Sequence, residues 1–204
     1  MIKGKLVELV KRSFSRDSST INWDDRIFEL HISLAYQELF YKSYDAIKDN
    51  LDFYCKEYDL TINTINDEIS GSNIYYAELP VNPVDLPLTN KGVISINDKF
   101  DLNYSFYPVT VDEFKHFNNT QGWLVLDKVL FYLHNRRVYF SNNLRDDTIT
   151  TGVQAKIIPS FEDIDYYDEV YIPGGNYITL LQFITPYIAN MPLYNLTNNN
   201  SNIR

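Results

Sequence analysis

The chain has 204 residues, of which 45% are hydrophobic, and this is enough to bury a core in one domain or in two closely packed parts. Its 27 acidic residues outnumber 18 basic ones, giving a net charge of -9, which argues against a dedicated nucleic-acid-binding protein because phosphate contacts need clustered Lys and Arg. The single cysteine, Cys55, excludes an intramolecular disulfide, and a reducing compartment is the simplest fit.

We also expect no association with a membrane. The most apolar run, Trp123 to Leu133, is interrupted by Asp127 and Lys128. It is far shorter than the roughly 20 residues that a spanning helix requires.

The first predicted helix covers residues 1–14. Its apolar face is formed by Ile2, Leu6, Leu9, Val10 and Phe14. Basic residues make this segment unlike the rest of the acidic chain: Lys3, Lys5, Lys11, Arg12 and Arg16. Two interpretations stay open, a solvated helix face or a contact with an acidic partner or a neighbouring subunit.

The second predicted helix runs from Asp24 to Ile47 and is apolar on more than one side. One row contains Ile27, Leu34 and Tyr41, and the other contains Phe28, Ile32, Ala35, Leu39 and Phe40. Such a helix is either buried within one bundle or packed between subunits, and we favour the second arrangement because the chain offers few other helices. The predicted intersubunit residues are Ile27, Phe28, Ile32, Leu34, Leu39 and Phe40.

A period of two follows and predicts strands. The first two are expected at residues 51–55 and 58–64, with a break near Lys56 and Glu57. Further strands are expected at residues 75–79, 93–96, 123–126, 129–133, 138–140 and 153–158. Asn135 and Arg136 suit a two-residue hairpin turn, and Thr110 suits the cap of a short helix over residues 111–117.

The C-terminal third begins with five carboxylates in residues 162–169 and a break at Pro173-Gly174-Gly175. Asn176 suits an N-cap, and a helix should follow, with a kink or restart near Thr185 caused by Pro186 and an end at Pro192. The last residues have too little apolar surface to fold alone. They form either a frayed terminus or a docking arm whose anchors are Leu193, Tyr194, Leu196 and Ile203.

Catalytic motifs are lacking in the sequence, so we expect a protein that is not an enzyme and uses no cofactor. His31, His116 and His134 are far apart and lie in no metal or nucleophile motif. Gly174 and Gly175 lack the Lys and further glycines of a phosphate loop, and the acidic segment lacks the spacing of an EF-hand. Solvated loop charges are the favoured interpretation of those carboxylates over a metal site.

The element order predicts an α+β fold. We expect N-terminal helices at residues 1–50, a central antiparallel β-sandwich or open barrel at 51–160, and an acidic loop with a C-terminal helix at 161–192. That helix should pack on the N-terminal helices in one layer. An extended C-terminal arm should follow at 193–204.

This layout resembles the head-to-tail connector, or adaptor, ring proteins of short-tailed bacteriophages, with those of crAss-like phages closest. The resemblance covers nearly the whole chain in element order. It includes the segment from Tyr107-Pro108-Val109-Thr110 into Glu113-Phe114, and Asp168-Glu169-Val170-Tyr171-Ile172-Pro173 opening the last helix.

The resemblance implies a structural virion protein at the head-to-tail interface, assembled in the bacterial host cytoplasm as a dodecameric ring under the portal protein. It implies a C-terminal arm that inserts into the portal, formed by Leu193, Tyr194, Asn195, Leu196, Asn198, Asn199, Asn200, Ile203 and Arg204. The next tail component would bind the ring, and genomic DNA would pass through an acidic channel without specific binding.

Two other functions stay open. One is a ring or stopper component further down the tail. The other is a carbohydrate-binding β-sandwich module in which some of the 17 tyrosines and two tryptophans stack on sugars.

Overall fold

The computed structural model describes residues 1–15, 25–66, 73–101, 104, 106–120, 128–175 and 177–189. These residues form the α+β fold that the element order predicts, with a helical part and two β-sheets. Each part has its own cluster of buried apolar side chains.

Three long helices build the helical part: α1 at Lys3–Ser15, α2 at Asp25–Ile47 and α5 at Tyr177–Ala189. Most of their predicted apolar residues meet in one core, in which Leu6, Val10, Phe28, Leu180 and Ile184 are fully buried. Ile2 and Leu9, which were predicted for the apolar face of α1, are exposed. Helix α5 packs along α2. It follows a turn in which Gly174 and Gly175 have positive φ angles of 81° and 71°, the conformation that favours glycine.

Helix α5 continues through Pro186, so the predicted restart near Thr185 is wrong. Leu180 and Ile184 are fully buried on the near side of the proline, and Tyr187 packs against the same core on the far side. The Thr185 hydroxyl donates a hydrogen bond to the Leu181 carbonyl at 2.7 Å. Tertiary contacts on both sides of Pro186 therefore outweigh the loss of its backbone donor.

The strand predicted at residues 51–55 is wrong, because Lys48–Tyr54 is a 3₁₀ helix. Leu51 and Tyr54 are three residues apart and both contact the helical core, which a turn of three residues per repeat allows. Strand β1, Lys56–Leu60, begins where a break was predicted. The break falls instead before β2, Asn63–Asn66, which belongs to the other sheet.

The smaller sheet is antiparallel, with β8, Val153–Ile157, between β1 and β4, Val93–Asp98. The larger sheet has the order β2, β3 (Asn73–Glu78), β7 (Arg137–Phe140), β6 (Val129–His134) and β5 (Phe106–Pro108). Buried residues of both sheets share one core, as in a sandwich, and the described strands close no barrel.

Strand β5 corrects the expectation of a wholly antiparallel arrangement, because it pairs with β6 in parallel. Three residues ending at a proline carried too short a pattern to predict a strand. Helix α4, Asp146–Thr151, was missed for the same reason of length. The strand predicted at residues 123–126 lies outside the described residues.

The predicted hairpin turn and the predicted helix cap are both confirmed. Asn135 and Arg136 form the turn between β6 and β7 with φ angles of 47° and 63°, which is the conformation that a two-residue hairpin turn needs. Thr110 caps α3, Val111–Thr120, because its hydroxyl accepts from the Glu113 amide while the Glu113 carboxylate accepts from the Thr110 amide.

Asp98 is a buried carboxylate that joins β4 to α4. It accepts hydrogen bonds from the Thr148 hydroxyl at 2.6 Å and from the amides of Phe100 and Asp101 at 2.8 and 2.9 Å. Burial alone would raise the pKa of Asp98, but these hydrogen bonds outweigh burial and hold the pKa below its usual value.

We predict that Asp98→Ala lowers the free energy of unfolding by about 1–3 kcal/mol, because the Thr148 hydroxyl loses its buried acceptor. Asp59→Ala is the control, since the Asp59 side chain is exposed and forms a surface ion pair with Lys99 at 3.5 Å. Because the pKa of Asp98 is lowered by folding, its contribution is present above the unfolded value of about 3.9 and is lost as the pH falls through the folded value. Urea unfolding from pH 7 to pH 2.5 measures both effects, and equal losses in the two variants would contradict this role.

Candidate interaction surface on helix α2

One side of α2 presents large apolar side chains to solvent. Leu30, Leu34 and Tyr41 are 49%, 44% and 57% exposed. Their spacing of four and seven residues places them along one line of the helix, roughly 16 Å long at 1.5 Å per residue. We call these three residues the α2 row. Leu30 and Leu34 are one turn apart, and the polar residues Gln37 and Glu38 lie between Leu34 and Tyr41. Exposed apolar side chains that share one side of a helix are candidates for an interaction site.

The opposite side of α2 is buried within the same chain. Phe28, Ile32 and Phe40 are fully buried and Leu39 is 1% exposed, in the core that also contains residues of α1 and α5. The prediction that these four residues face another subunit is therefore wrong. Of the other predicted intersubunit residues, Leu34 belongs to the exposed α2 row, and the side chain of Ile27 lies outside the described residues.

Sequence reasoning identified the two apolar sides of α2 but assigned residues of both sides to a neighbouring subunit, and one of these sides is buried within the chain. The reason is physical: the segment at residues 158–172 supplies Ile158, Phe161, Ile164, Val170 and Ile172 to the helical core. A count of helices overlooked this cover. Leu30 was missed although it lies four residues before Leu34, a spacing that could have identified it.

A polar cluster fixes α5 on α2 next to the α2 row. The Tyr187 hydroxyl donates to Glu38 at 2.8 Å, and the Lys42 ammonium lies 2.5 Å from the other oxygen of the same carboxylate. Hydrogen bonds from Lys42 and Tyr187 lower the pKa of Glu38, and the bond to Glu38 raises the pKa of Tyr187. Glu38, which lies four residues after Leu34 on the same helix, is therefore bonded within the chain.

These contacts also give the direction of α5. Lys42 lies over the Phe183 ring at 5.1 Å, whereas Tyr187 contacts Glu38 and lies 6.0 Å from the His31 ring. The two helices are therefore antiparallel, and α5 approaches the first half of α2 as it ends. The arm residues Leu193, Tyr194, Asn195, Leu196, Asn198, Asn199, Asn200, Ile203 and Arg204 lie outside the described residues.

Glu162, Asp165 and Glu169 of the acidic segment are exposed, as solvated loop charges should be, but Asp163 and Asp168 make specific contacts within the chain. Asp163 accepts from the Asn82 amide, the Asn82 side chain and the Ser160 hydroxyl at 2.6, 2.8 and 3.0 Å. Asp168 pairs with Lys56 at 2.5 Å. Carboxylates in this segment therefore hold the loop to its neighbours.

The basic start of α1 meets this same segment within the chain. Lys3 is only 6% exposed, and its ammonium donates to the carbonyls of Ile164 and Glu162 at 2.9 and 3.4 Å. It also lies 4.9 Å from the centre of the Phe161 ring. For Lys3 the partner is thus an intrachain loop, and the groups that bind it are backbone carbonyls.

The histidines do not come together in one site. His31 lies on α2, His116 on α3 and His134 at the end of β6. His31 Nδ1 is buried and has no hydrogen-bond partner among the described residues. Across the described part of the chain, no group of three or more His, Cys, Asp or Glu residues is arranged to hold a metal ion.

Comparison with known proteins gave no match to a family model and no match to a curated protein. Within the described ranges, the longest apolar helices fall short of what crossing a membrane requires.

We predict that Leu34→Glu changes the free energy of unfolding by less than about 0.5 kcal/mol, since a side chain that is 44% exposed loses little packing. Ile32→Ala, on the buried side of the same helix, should cost about 2–5 kcal/mol. Urea unfolding of both variants at low protein concentration measures the difference. A large loss for Leu34→Glu would show that the α2 row is part of the fold.

We predict that Cys55 reacts slowly with thiol reagents in the folded protein. Burial raises the pKa of its thiol to about 12, with a smaller effect from the nearby Asp52, and its sulfur lies 3.3 Å from the Leu51 carbonyl. Modification with a chromogenic disulfide at pH 8 should be at least about a hundredfold slower than in urea, where the thiol pKa is about 8.5. Equal rates in the two states would contradict a half-buried thiol whose pKa is raised.

Proposed function

We propose that this protein is a structural virion component, a head-to-tail connector ring of a short-tailed bacteriophage. In this proposal its copies associate side by side, and residues 193–204 bind the portal protein above the ring. The proposal rests on the resemblance in element order described above. The exposed α2 row supports the association of copies.

Within the structure, the α2 row is the observation that supports the association of copies. A helix that lies at the centre of the helical core retains three large apolar side chains in solvent, at exposures of 44–57%. In a closed ring, each subunit offers one surface to one neighbour and a different surface to the other. A straight apolar row beside a firmly packed helix pair suits the first of these surfaces.

The acidic composition supports the proposed path of the genome. With a net charge of -9, a ring of many copies would surround its channel with negative potential. Such a potential repels DNA phosphates and lets the duplex pass without binding. A component further down the tail would use the same charge in the same way, so binding to the portal distinguishes the two positions.

Native mass spectrometry of the purified chain, alone and mixed with the portal protein of its source virus, tests both contacts. The full chain should form an oligomer and bind the portal, and a truncation ending at Pro192 should keep the oligomer and lose the portal. Binding of the truncated chain to the portal would contradict the role of the arm. Binding of the full chain only to another tail protein would place it further down the tail.

A second measurement tests the α2 row. Leu34→Glu should weaken the association of copies at least about tenfold, because a charge would be buried in an apolar contact. Ile65→Glu is a matched control, since Ile65 is 43% exposed but lies on strand β2. Analytical ultracentrifugation over a range of concentrations gives the association constants, and equal constants for the two variants would contradict the proposed interface.

A further inference from the structure

The outer face of the five-stranded sheet carries two rows of polar and aromatic side chains across strands β3, β7 and β6. Tyr76 pairs with Tyr139, and Tyr139 pairs with Tyr132. Two residues away on each strand, Glu78 pairs with Arg137, and Arg137 pairs with His134. Because side chains two residues apart share a face, both rows lie on the same side of the sheet.

The aromatic row is closed to ligands that need a free ring face. The rings of Tyr132 and Tyr139 stack with centres 4.9 Å apart and planes at 11°, and Tyr76 follows at 6.1 Å. The guanidinium of Arg137 covers the Tyr76 ring at 4.8 Å, and Phe114 of α3 contacts the Tyr132 ring at 4.6 Å. Nucleobases, which stack on open aromatic faces, are therefore poor candidates.

The polar row opens into a groove of about 460 Å³ beside the β6–β7 turn. This volume is within the range of small-ligand sites and far exceeds what a single inorganic ion needs. The groove is lined by five planar hydrogen-bonding side chains, one tyrosine and one leucine: Glu78, His134, Asn135, Arg136, Arg137, Tyr139 and Leu79.

Positive charge predominates in this groove although the chain as a whole is acidic. Two guanidinium groups face one carboxylate, that of Glu78, which lies 2.9 Å from Arg137. Hydrogen bonds to Tyr139 and Glu78 raise the pKa of Arg137. The side chains of Arg137 and Glu78 are 40% and 62% exposed, so a ligand can reach both.

The second arginine is held in place by the backbone. Arg136 adopts a positive φ of 63° in the turn, and its Nη2 atom donates to the carbonyls of Leu79 and Pro80 at 3.2 and 2.9 Å. A guanidinium has five N–H groups, so two hydrogen bonds fix its position and leave further donors in the fork. Preorganised donors of this kind suit a carboxylate.

We propose that this groove binds an acidic saccharide, a sugar that bears a carboxylate. The carboxylate faces the guanidinium groups of Arg136 and Arg137, and the sugar hydroxyls bond to Glu78, Asn135 and His134. A simple anion would be repelled by the Glu78 carboxylate. A ligand that has both hydroxyl groups and a carboxylate can donate hydrogen bonds to Glu78 and accept them from the two arginines. This binding activity is separate from ring formation and from the binding of a portal.

A ¹H–¹⁵N NMR titration of the full chain with glucuronate, glucose and inorganic phosphate tests the proposal. Glucuronate should shift the backbone amide signals of residues 134–139 in a saturable manner at millimolar concentration. Glucose and phosphate should each bind at least about tenfold more weakly, because glucose lacks the carboxylate and phosphate lacks the sugar hydroxyls. Equal binding of phosphate would mean that the groove accepts any oxyanion, and absence of saturable shifts would also overturn the proposal.

Variants separate this groove from other arginines on the surface. Arg137→Gln should weaken glucuronate binding at least about tenfold, through loss of a charge-assisted bond. Arg145→Gln is the matched control, because Arg145 also covers a tyrosine ring, that of Tyr104 at 4.0 Å, and pairs with Asp101 at 2.7 Å, outside the groove. Equal effects of the two substitutions would overturn the assignment to Arg137.

Discussion

The burial of the Lys3 ammonium under residues 161–168 is the contact on which the rest of the structure depends. A buried cation requires hydrogen-bond acceptors, because its unpaired burial costs several kcal/mol or more. The acidic segment supplies them through the Glu162 and Ile164 carbonyls. The amides of Lys3 and Gly4 donate to the carbonyls of Asp168 and Tyr166 in turn. The start of α1 and this loop are therefore formed together.

These residues belong to the longer segment at 158–172, which joins the helical part to the strands. Asp163 binds Asn82, Asp168 pairs with Lys56 at the start of β1, and the Tyr171 carbonyl accepts from the Tyr36 hydroxyl of α2. Its apolar residues enter the helical core between these polar contacts. Because the segment covers the inner side of α2, the outer side alone is left for a partner. The candidate interface thus follows from a loop that sequence periodicity does not describe.

Long periodic elements could be predicted from the sequence because their pattern is the direct result of burial on one side. Helices α1, α2 and α5 are elements of this kind. The Asn135-Arg136 turn and the Thr110–Glu113 cap could also be predicted, since each is determined by residues close in sequence. Residues 51–54 were misassigned because alternation over five residues does not distinguish a strand from a 3₁₀ turn.

The groove beside Arg137 could not be predicted either. It requires the pairing of Glu78, Arg137 and His134 across three strands, and the pairing of β3 with β7 joins residues about sixty positions apart in the chain. Likewise, which apolar side of α2 is covered depends on residues 158–172, more than a hundred positions later. Pattern along the chain gives the faces of an element, and only long-range contact decides which face remains open.

The division of α2 into a buried side and an exposed row separates folding from association. All fully buried residues of the helix keep their contacts within one chain, so a single copy needs no neighbour to complete its core. In the proposed ring, association through the exposed row would be governed by mass action: folded monomers would persist when the protein is dilute and assemble as its concentration rises. A pool of folded subunits could thereby accumulate before the surface proposed for their assembly is present.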